Sequence, residues 1–170
     1  MARLAQANAF RPRAGWDDAV MREFVLALDP VNALAETSPG FVWRLHPGEG
    51  HGAVVAEGDA TPVLVNLSVW ESYPPLHEFV YSSAHAGYLR NRSRWFEPVA
   101  QPAAVLWWVD EDQQPTAAQA IARLRYLQRY GPTARAFSMR RRFEPDGRPV
   151  PRRQGPRDRP PWRPADRRSR

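Results

Sequence analysis

Apolar and polar residues alternate along four segments of the chain, and this alternation predicts β-strands. The segments span residues 3–10, 41–46, 61–71 and 103–109. The third segment is the clearest. One of its faces is aliphatic and contains Val63, Val65, Leu67 and Val69. The other face is mixed and contains Leu64, Asn66, Ser68 and Trp70. The glycine-rich residues 47–61 predict a long hairpin loop that includes a short strand at residues 53–56.

Apolar residues recur at helical spacing between the first two strands and again between the third and the fourth. Asp17 or Asp18 can cap the first helix, and Pro30 predicts a break before a short continuation through residue 35. The second helix is predicted to begin at residue 74 and to run to residue 96, with a kink near residue 82.

A last helix follows the fourth strand. Thr116 and Gln119 have the spacing of a capping box, and Gly131 followed by Pro132 is a stop signal. The order βαββαβ plus a terminal helix predicts an α+β, ferredoxin-like fold, in which a four-stranded antiparallel sheet carries two helices on one face. We expect the aliphatic face of the third strand to lie under those helices and the other face to stay open.

Charge divides the chain into two unlike parts. Residues 1–138 hold 12 arginines and 14 acidic residues, whereas residues 139–170 hold 12 arginines, four acidic residues, seven prolines and only five apolar residues. A segment of this composition cannot bury enough apolar surface to offset the entropy of ordering. The sequence therefore predicts a folded domain over residues 1–137 and a disordered basic tail over residues 138–170. The tail is interpreted as a solubilising extension, with non-specific nucleic-acid association as the weaker alternative.

Composition excludes several classes of chemistry. The chain has no cysteine and no lysine, so thiolate nucleophiles, cysteine-ligated metals and Schiff bases are excluded. Its four histidines match no metal-binding spacing, and no dinucleotide or phosphate-loop motif is present. No apolar run approaches the roughly 20 residues of a membrane span, and the first residues lack a signal-peptide pattern, so we expect a cytoplasmic protein.

The polar face of the predicted sheet is the strongest candidate for a binding site. Gln6 and Asn8 of the first strand should share it with Asn66, Ser68 and Trp70 of the third. Orienting amides beside aromatic bulk are typical of a small-molecule pocket. The alternative is a dimer interface that contains ordinary hydrogen-bonded amides, and the residues alone leave both interpretations open.

Several motifs together resemble the bacterial domain-of-unknown-function family 3291, over nearly all of residues 3–137. They are Asp29-Pro30-Val31-Asn32-Ala33-Leu34-Ala35, Ser38-Pro39-Gly40-Phe41-Val42-Trp43-Arg44-Leu45, Val65-Asn66-Leu67-Ser68-Val69-Trp70-Glu71-Ser72, Phe79-Val80-Tyr81, Ala84-His85 and Trp95-Phe96. The chain also resembles the broader dimeric α/β-barrel superfamily, which includes antibiotic-biosynthesis-type monooxygenases. This resemblance implies a homodimer with a pocket between sheet and helices in each subunit.

The resemblance does not select one reaction, because the superfamily hosts cofactor-free oxygenation, haem chemistry, isomerisation and simple binding. The first hypothesis is a monooxygenase-like enzyme, cofactor-independent or haem-assisted, that acts on a small aromatic or polyketide-like molecule. His85 would be its base or axial ligand, with Tyr88 and Arg44 as neighbours. The alternatives are a surface or core role for His85 and a non-catalytic dimer that binds a small molecule or haem.

Overall fold

The computed structural model describes residues 1–46, 54–56, 63–81, 91–98 and 101–151, with residues 54–56 described by their backbone alone. Five strands and three helices are described, and residues 91–95 are also helical. The strands are β1 (Ala2–Phe10), β2 (Phe41–Arg44), β3 (Val54–Ala56), β4 (Val63–Trp70) and β5 (Ala104–Asp110). The helices are α1 (Ala19–Glu36), α2 (Tyr73–Tyr81) and α3 (Ala117–Tyr130).

The strands form one antiparallel sheet in the order β2-β4-β1-β5, and β3 pairs with the first half of β4 beside β2. Strands β1 and β4 are central, and the chain crosses between strands through α1 and α2. This is the ferredoxin-like arrangement. The predicted fold class is therefore confirmed, with β3 as an addition to the four main strands.

The helices lie on the face opposite to the one expected. The register between β1 and β4 places Gln6 beside Ser68 and Asn8 beside Asn66, on the same face as Leu4 and Trp70. Ala35 of α1 and Leu76 of α2 pack against Leu4 and Trp70, so α1 and α2 cover this polar face, which is not open. The expectation was wrong because both faces of the sheet carry large apolar residues. Alternation along a strand assigns residues to two faces, but it does not show which face the helices cover.

The aliphatic face is covered by the last helix. Ala120, Leu124 and Leu127 of α3 are buried in one cluster with the small and aliphatic residues of the sheet: Ala5, Ala7, Ala9, Val65, Leu67, Val69, Val105, Trp107 and Val109. The alanines Ala5, Ala7 and Ala9 on this face of β1 leave room for the helix to approach the sheet closely. Helices thus lie on both faces of the central strands.

Local capping signals agree with the structure. Asp18 accepts a hydrogen bond from the backbone N–H of Val20 at 2.8 Å, and Thr116 and Gln119 form both bonds of the capping box. The predicted break at Pro30 is wrong, since α1 runs through it without interruption. Pro30 is exposed, so the carbonyl that loses a helical N–H partner lies toward solvent.

The chain after α3 turns around the β5 edge of the sheet. Leu106 and Phe137 exchange two backbone hydrogen bonds, with N···O distances of 2.8 and 2.9 Å. Met139 and Phe143 then pack on the cluster under α1 and α2. We call residues 136–151 the C-terminal strap. The packed chain thus extends past the expected boundary at residue 138, because the few apolar residues beyond it lie against the sheet; residues 152–170 lie outside the described residues.

No helix within the described residues is long and apolar enough to cross a membrane.

Candidate functional site

A cavity of about 160 Å³ lies between the sheet and the covering elements. Its floor comes from the sheet and contains most of the polar groups, whereas its roof comes from α1, α2 and the C-terminal strap and is mainly apolar. The floor residues are Gln6, Asn8, Phe41, Arg44, Asn66, Ser68, Ala104 and Leu106; the roof residues are Val31, Asn32, Ala35, Phe79, Val80 and Met139. A cavity with one polar and one apolar side can orient a ligand as well as enclose it.

Three side chains at the floor form a hydrogen-bond chain. The indole N–H of Trp70 donates to Ser68 Oγ at 3.0 Å, and the Ser68 hydroxyl donates to Gln6 Oε1 at 3.2 Å. Trp70 is fully buried, and Ser68 and Gln6 are 7% and 8% exposed. The chain satisfies polar atoms that would otherwise be costly to bury, and it fixes the direction of the Gln6 amide.

Trp70 lies behind the cavity instead of lining it. Its ring packs edge-on against Phe41 at 5.5 Å and stacks with Phe79 at 5.1 Å, and both of these rings line the cavity. Contrary to our expectation, Trp70 therefore does not contact a ligand in this cavity directly. It acts indirectly, by positioning Ser68 and the rings of Phe41 and Phe79.

Asn8 and Asn66 face each other across β1 and β4 at the more open end of the cavity. Asn8 is half-buried and Asn66 is exposed. Asn32 of α1 adds an amide from the roof. Sequence reasoning missed Asn32, although its position two residues after Pro30, in a motif that carries the family resemblance, was an available signal.

Arg44 contributes a cation whose charge already has a partner. Its Nε lies 2.6 Å from Glu36 Oε1, and the Arg44 side chain is only 16% exposed. The pair joins the end of α1 to β2, where Arg44 stands opposite Ser68 in the register. Arg44 therefore brings N–H donors to the cavity with little net charge.

The comparisons with known proteins bear on this architecture. The model of a family described as "Domain of unknown function (DUF3291)" matches residues 3–153. The chain belongs to this family. The match includes the strands, all three helices and the C-terminal strap, so the cavity is built entirely from residues inside it. The search of curated proteins finds no match.

Several solved structures are similar to the chain at low identity. The cofactor-independent oxygenase SnoaB of Streptomyces nogalater is 16% identical, with a TM-score of 0.44, covering 67% of this chain and 97% of its own. A putative antibiotic biosynthesis monooxygenase of Chloroflexus aurantiacus is 12% identical, with a TM-score of 0.40 and coverages of 67% and 97%. A dabb family protein of Mesorhizobium loti with a ferredoxin-like fold is 7% identical, with a TM-score of 0.44 and coverages of 68% and 100%.

Within this DUF3291 chain, five expected site residues line this cavity: Gln6, Asn8, Arg44, Asn66 and Ser68. His85 and Tyr88, the expected base and its neighbour, lie outside the described residues. None of the described lining residues has an imidazole, carboxyl, thiol or phenol group. The described part of the site can therefore bind a ligand, orient it and donate hydrogen bonds to it.

The described cavity does not fit a haem. A cavity of about 150 Å³ holds one benzene ring, and a porphyrin contains four pyrrole rings. The volume of about 160 Å³ is thus too small for the macrocycle. Among the described residues, no group of three histidine, cysteine or acidic side chains could hold a metal ion.

Proposed function

We propose that this protein binds a small, uncharged, planar molecule in the cavity between the sheet and its covering elements. The observation that carries the proposal is the set of amide and hydroxyl groups of Gln6, Asn8, Asn66 and Ser68, which two adjacent strands direct to one side of a cavity with a mainly apolar roof. Amides pair with neutral carbonyl, hydroxyl or amide groups of a ligand. Phe41 and Phe79 supply flat apolar walls for a ring.

The size and charge of the cavity narrow the ligand class. Its volume is close to the roughly 150 Å³ of a cavity that holds benzene, which favours a single ring with small substituents over a polycyclic polyketide-like molecule. The Arg44–Glu36 ion pair leaves little net charge at the cavity, which favours a neutral ligand. A monocyclic phenol or hydroxylated aryl amide has the required properties.

Oxygenation of such a molecule is the second candidate function. The donors around the cavity, among them the Arg44 guanidinium and the side-chain amides, would stabilise the oxyanion of a deprotonated phenol or enol. His85 would accept the proton, as the family resemblance implied. Under this candidate, His85→Ala keeps ligand binding and loses oxygen consumption; full oxygen consumption by His85→Ala would refute the role of His85.

Homodimer formation also belongs to the proposal. Because α3 covers the aliphatic sheet face, two sheets cannot pair directly through that face while α3 is in place. We propose that α3 lies in the interface of the dimer, between the two sheets.

Ligand-observed NMR with phenol and 3-hydroxybenzamide as probes tests the binding function. We expect the two probes to bind. Asn66→Ala should weaken binding of 3-hydroxybenzamide about tenfold, because it removes an amide of the cavity floor that can hydrogen-bond to the ligand. Asn91→Ala is the matched control, since Asn91 is exposed and is not a cavity residue. The proposal is contradicted if phenol or 3-hydroxybenzamide fails to bind, or if Asn66→Ala and Asn91→Ala have equal effects.

A further inference from the structure

A second concave site lies farther along β1, beyond the amide-lined cavity. Asn8 lines the cavity, whereas Phe10, two residues on and on the same face of β1, lines a groove of about 440 Å³. The groove lies between the end of β1 and the segment that includes Ser93 and Phe96. Its volume falls within the range of roughly 300–1,000 Å³ that is usual for small-molecule sites.

One side of the groove is aromatic. The rings of Phe10 and Phe96 stack at 4.7 Å with an angle of 24° between their planes. Phe24 of α1 packs edge-on against Phe96, with the ring centres 4.8 Å apart. Phe96 is almost fully buried. The partly exposed Phe10 ring is therefore held from behind by Phe96, and it offers a fixed apolar surface to a planar group.

The other side of the groove is positively charged. Among the described lining residues, Arg13 and Arg92 are cations, and the acidic residue Glu97 lies 3.9 Å from the guanidinium of Arg11. The described lining therefore carries two guanidinium groups and one carboxylate. Arginine pairs favour phosphate and carboxylate groups, because their N–H donors match the oxygens of an anion in geometry and charge.

Arg13 is held in position by the backbone around it. Its Nε donates to the Ser93 carbonyl at 3.0 Å, and its backbone N–H donates to the Trp95 carbonyl at 2.9 Å. Pro12 and Phe96 form a bridge between the same two segments, and the backbone N–H of Glu97 donates to the Arg11 carbonyl at 2.9 Å. A guanidinium fixed in this way loses little entropy when it binds an anion.

We propose that the groove is a binding site for an aromatic oxyanion of the aryl phosphate or aryl carboxylate class. The ring of the ligand lies on Phe10, which Phe96 supports from behind, and its anionic group lies between Arg13 and Arg92. Ser93 and Gln101 are the neutral polar residues beside it. The site differs in charge from the cavity, and the proposal does not depend on what the cavity binds.

Isothermal titration calorimetry with the full chain and phenyl phosphate tests the site. We expect a dissociation constant below about 1 mM, and binding about tenfold tighter than that of inorganic phosphate or of benzyl alcohol, since each of those probes satisfies one half of the groove. Arg92→Gln should weaken phenyl phosphate about tenfold, because it removes one of the two cations. Arg22→Gln, at an exposed arginine of α1, is the matched control and should leave the titration unchanged.

Arg13→Gln provides a second variant, but it also removes the bond to Ser93, so its thermal unfolding is measured alongside the titration. The proposal is overturned if phenyl phosphate does not bind, if it binds no better than inorganic phosphate, or if Arg92→Gln and Arg22→Gln behave alike. It is also overturned if saturating 3-hydroxybenzamide displaces phenyl phosphate, because that places the anion in the cavity. Failure of 3-hydroxybenzamide to bind refutes only the cavity proposal.

Discussion

A single hydroxyl group organises the floor of the cavity. Ser68 accepts the indole N–H of Trp70 and donates to the Gln6 amide, so one short side chain satisfies two larger neighbours. Without it, the buried indole N–H and amide oxygen would lack these partners, and the walls around Trp70 would lose their common anchor. Ser68 thus links the stability of the fold to the geometry of the site.

Ser68→Ala should lower the free energy of unfolding by about 1–3 kcal/mol, the usual cost of leaving a buried polar group unsatisfied. Denaturant unfolding followed by tryptophan fluorescence measures it. In a Trp70→Phe background, where the donor is already absent, the same serine substitution should cost clearly less. Equal costs in the two backgrounds would show that the indole and the hydroxyl are not coupled.

At the scale of elements, the C-terminal strap closes the cavity. Phe137 of the strap pairs with the edge of β5, and Met139 contributes to the roof. The backbone carbonyl of Phe143 accepts a hydrogen bond from the indole N–H of Trp108, with an N···O distance of 2.8 Å. The guanidinium of Arg142 lies 3.8 Å from the ring centre of Tyr73 at the start of α2. A segment that composition places in a tail therefore forms a wall of the site.

Phe143→Ala should destabilise the protein by about 2 kcal/mol, because the partly buried ring packs on Phe137 and the neighbouring cluster. Thermal or denaturant unfolding measures the loss. A chain that ends at residue 151 is the control and should unfold like the full chain, since it retains the strap. Unchanged stability of Phe143→Ala would contradict the packing of the strap.

The contact between the strap and α2 also predicts an alkaline pH dependence. Partial burial raises the pKa of Tyr73, and the Arg142 charge lowers it by a smaller amount. The folded state therefore holds the phenol proton more tightly than the unfolded state, and stability is retained below the ordinary tyrosine pKa near 10 and lost as the pH rises through the folded value. Tyr73→Phe should reduce this alkaline loss.

Removing the nearby cation isolates the influences that raise the pKa of Tyr73. Arg142→Gln should raise this pKa further, because desolvation and the charge of Tyr81, which remain, both act upward. Titration of the phenolate absorbance, with Tyr73→Phe subtracted, measures the change. A pKa that falls or stays constant in Arg142→Gln would mean that the guanidinium does not act on this ring.

For the molecule as a whole, α3 decides which surfaces remain for association. Its inner residues are buried against the aliphatic sheet face, whereas Ala118, Ala122, Arg125 and Arg129 on its outer side are exposed. A barrel formed by two directly contacting sheets requires that face to be bare. In the proposed homodimer, the outer surface of α3 lies in the interface instead.

Native mass spectrometry over a range of protein concentrations tests this arrangement. We expect a dimer, and we expect Arg125→Glu combined with Arg129→Glu to change its dissociation constant by tenfold or more, because two charges reverse in the interface. Arg22→Glu on α1 is the control and should have no effect. A single-chain mass at every concentration, or equal effects of the two sets of substitutions, would refute a dimer through α3.

Much of the candidate site could be found from alternation along the strands. Gln6 and Asn8 share a face with Asn66 and Ser68 in any sheet that keeps their alternation, and pairing of β1 with β4 brings them into one cavity. Met139 could not be found in this way, because its position at the cavity depends on the path of the chain after α3. Alternation places Trp70 on the same face as Ser68, but only the packing of the folded chain shows that Trp70 is buried behind Ser68.

The sequence alone determined the properties that depend on neighbouring residues. Side-chain alternation located the strands, capping residues located the starts of α1 and α3, and the order of these elements led to the ferredoxin-like class. The tertiary structure alone decided which sheet face each helix covers, the continuity of α1 through Pro30, and the return of the strap to the cavity. These features depend on contacts between residues far apart in the chain, and local periodicity carries no information about such contacts.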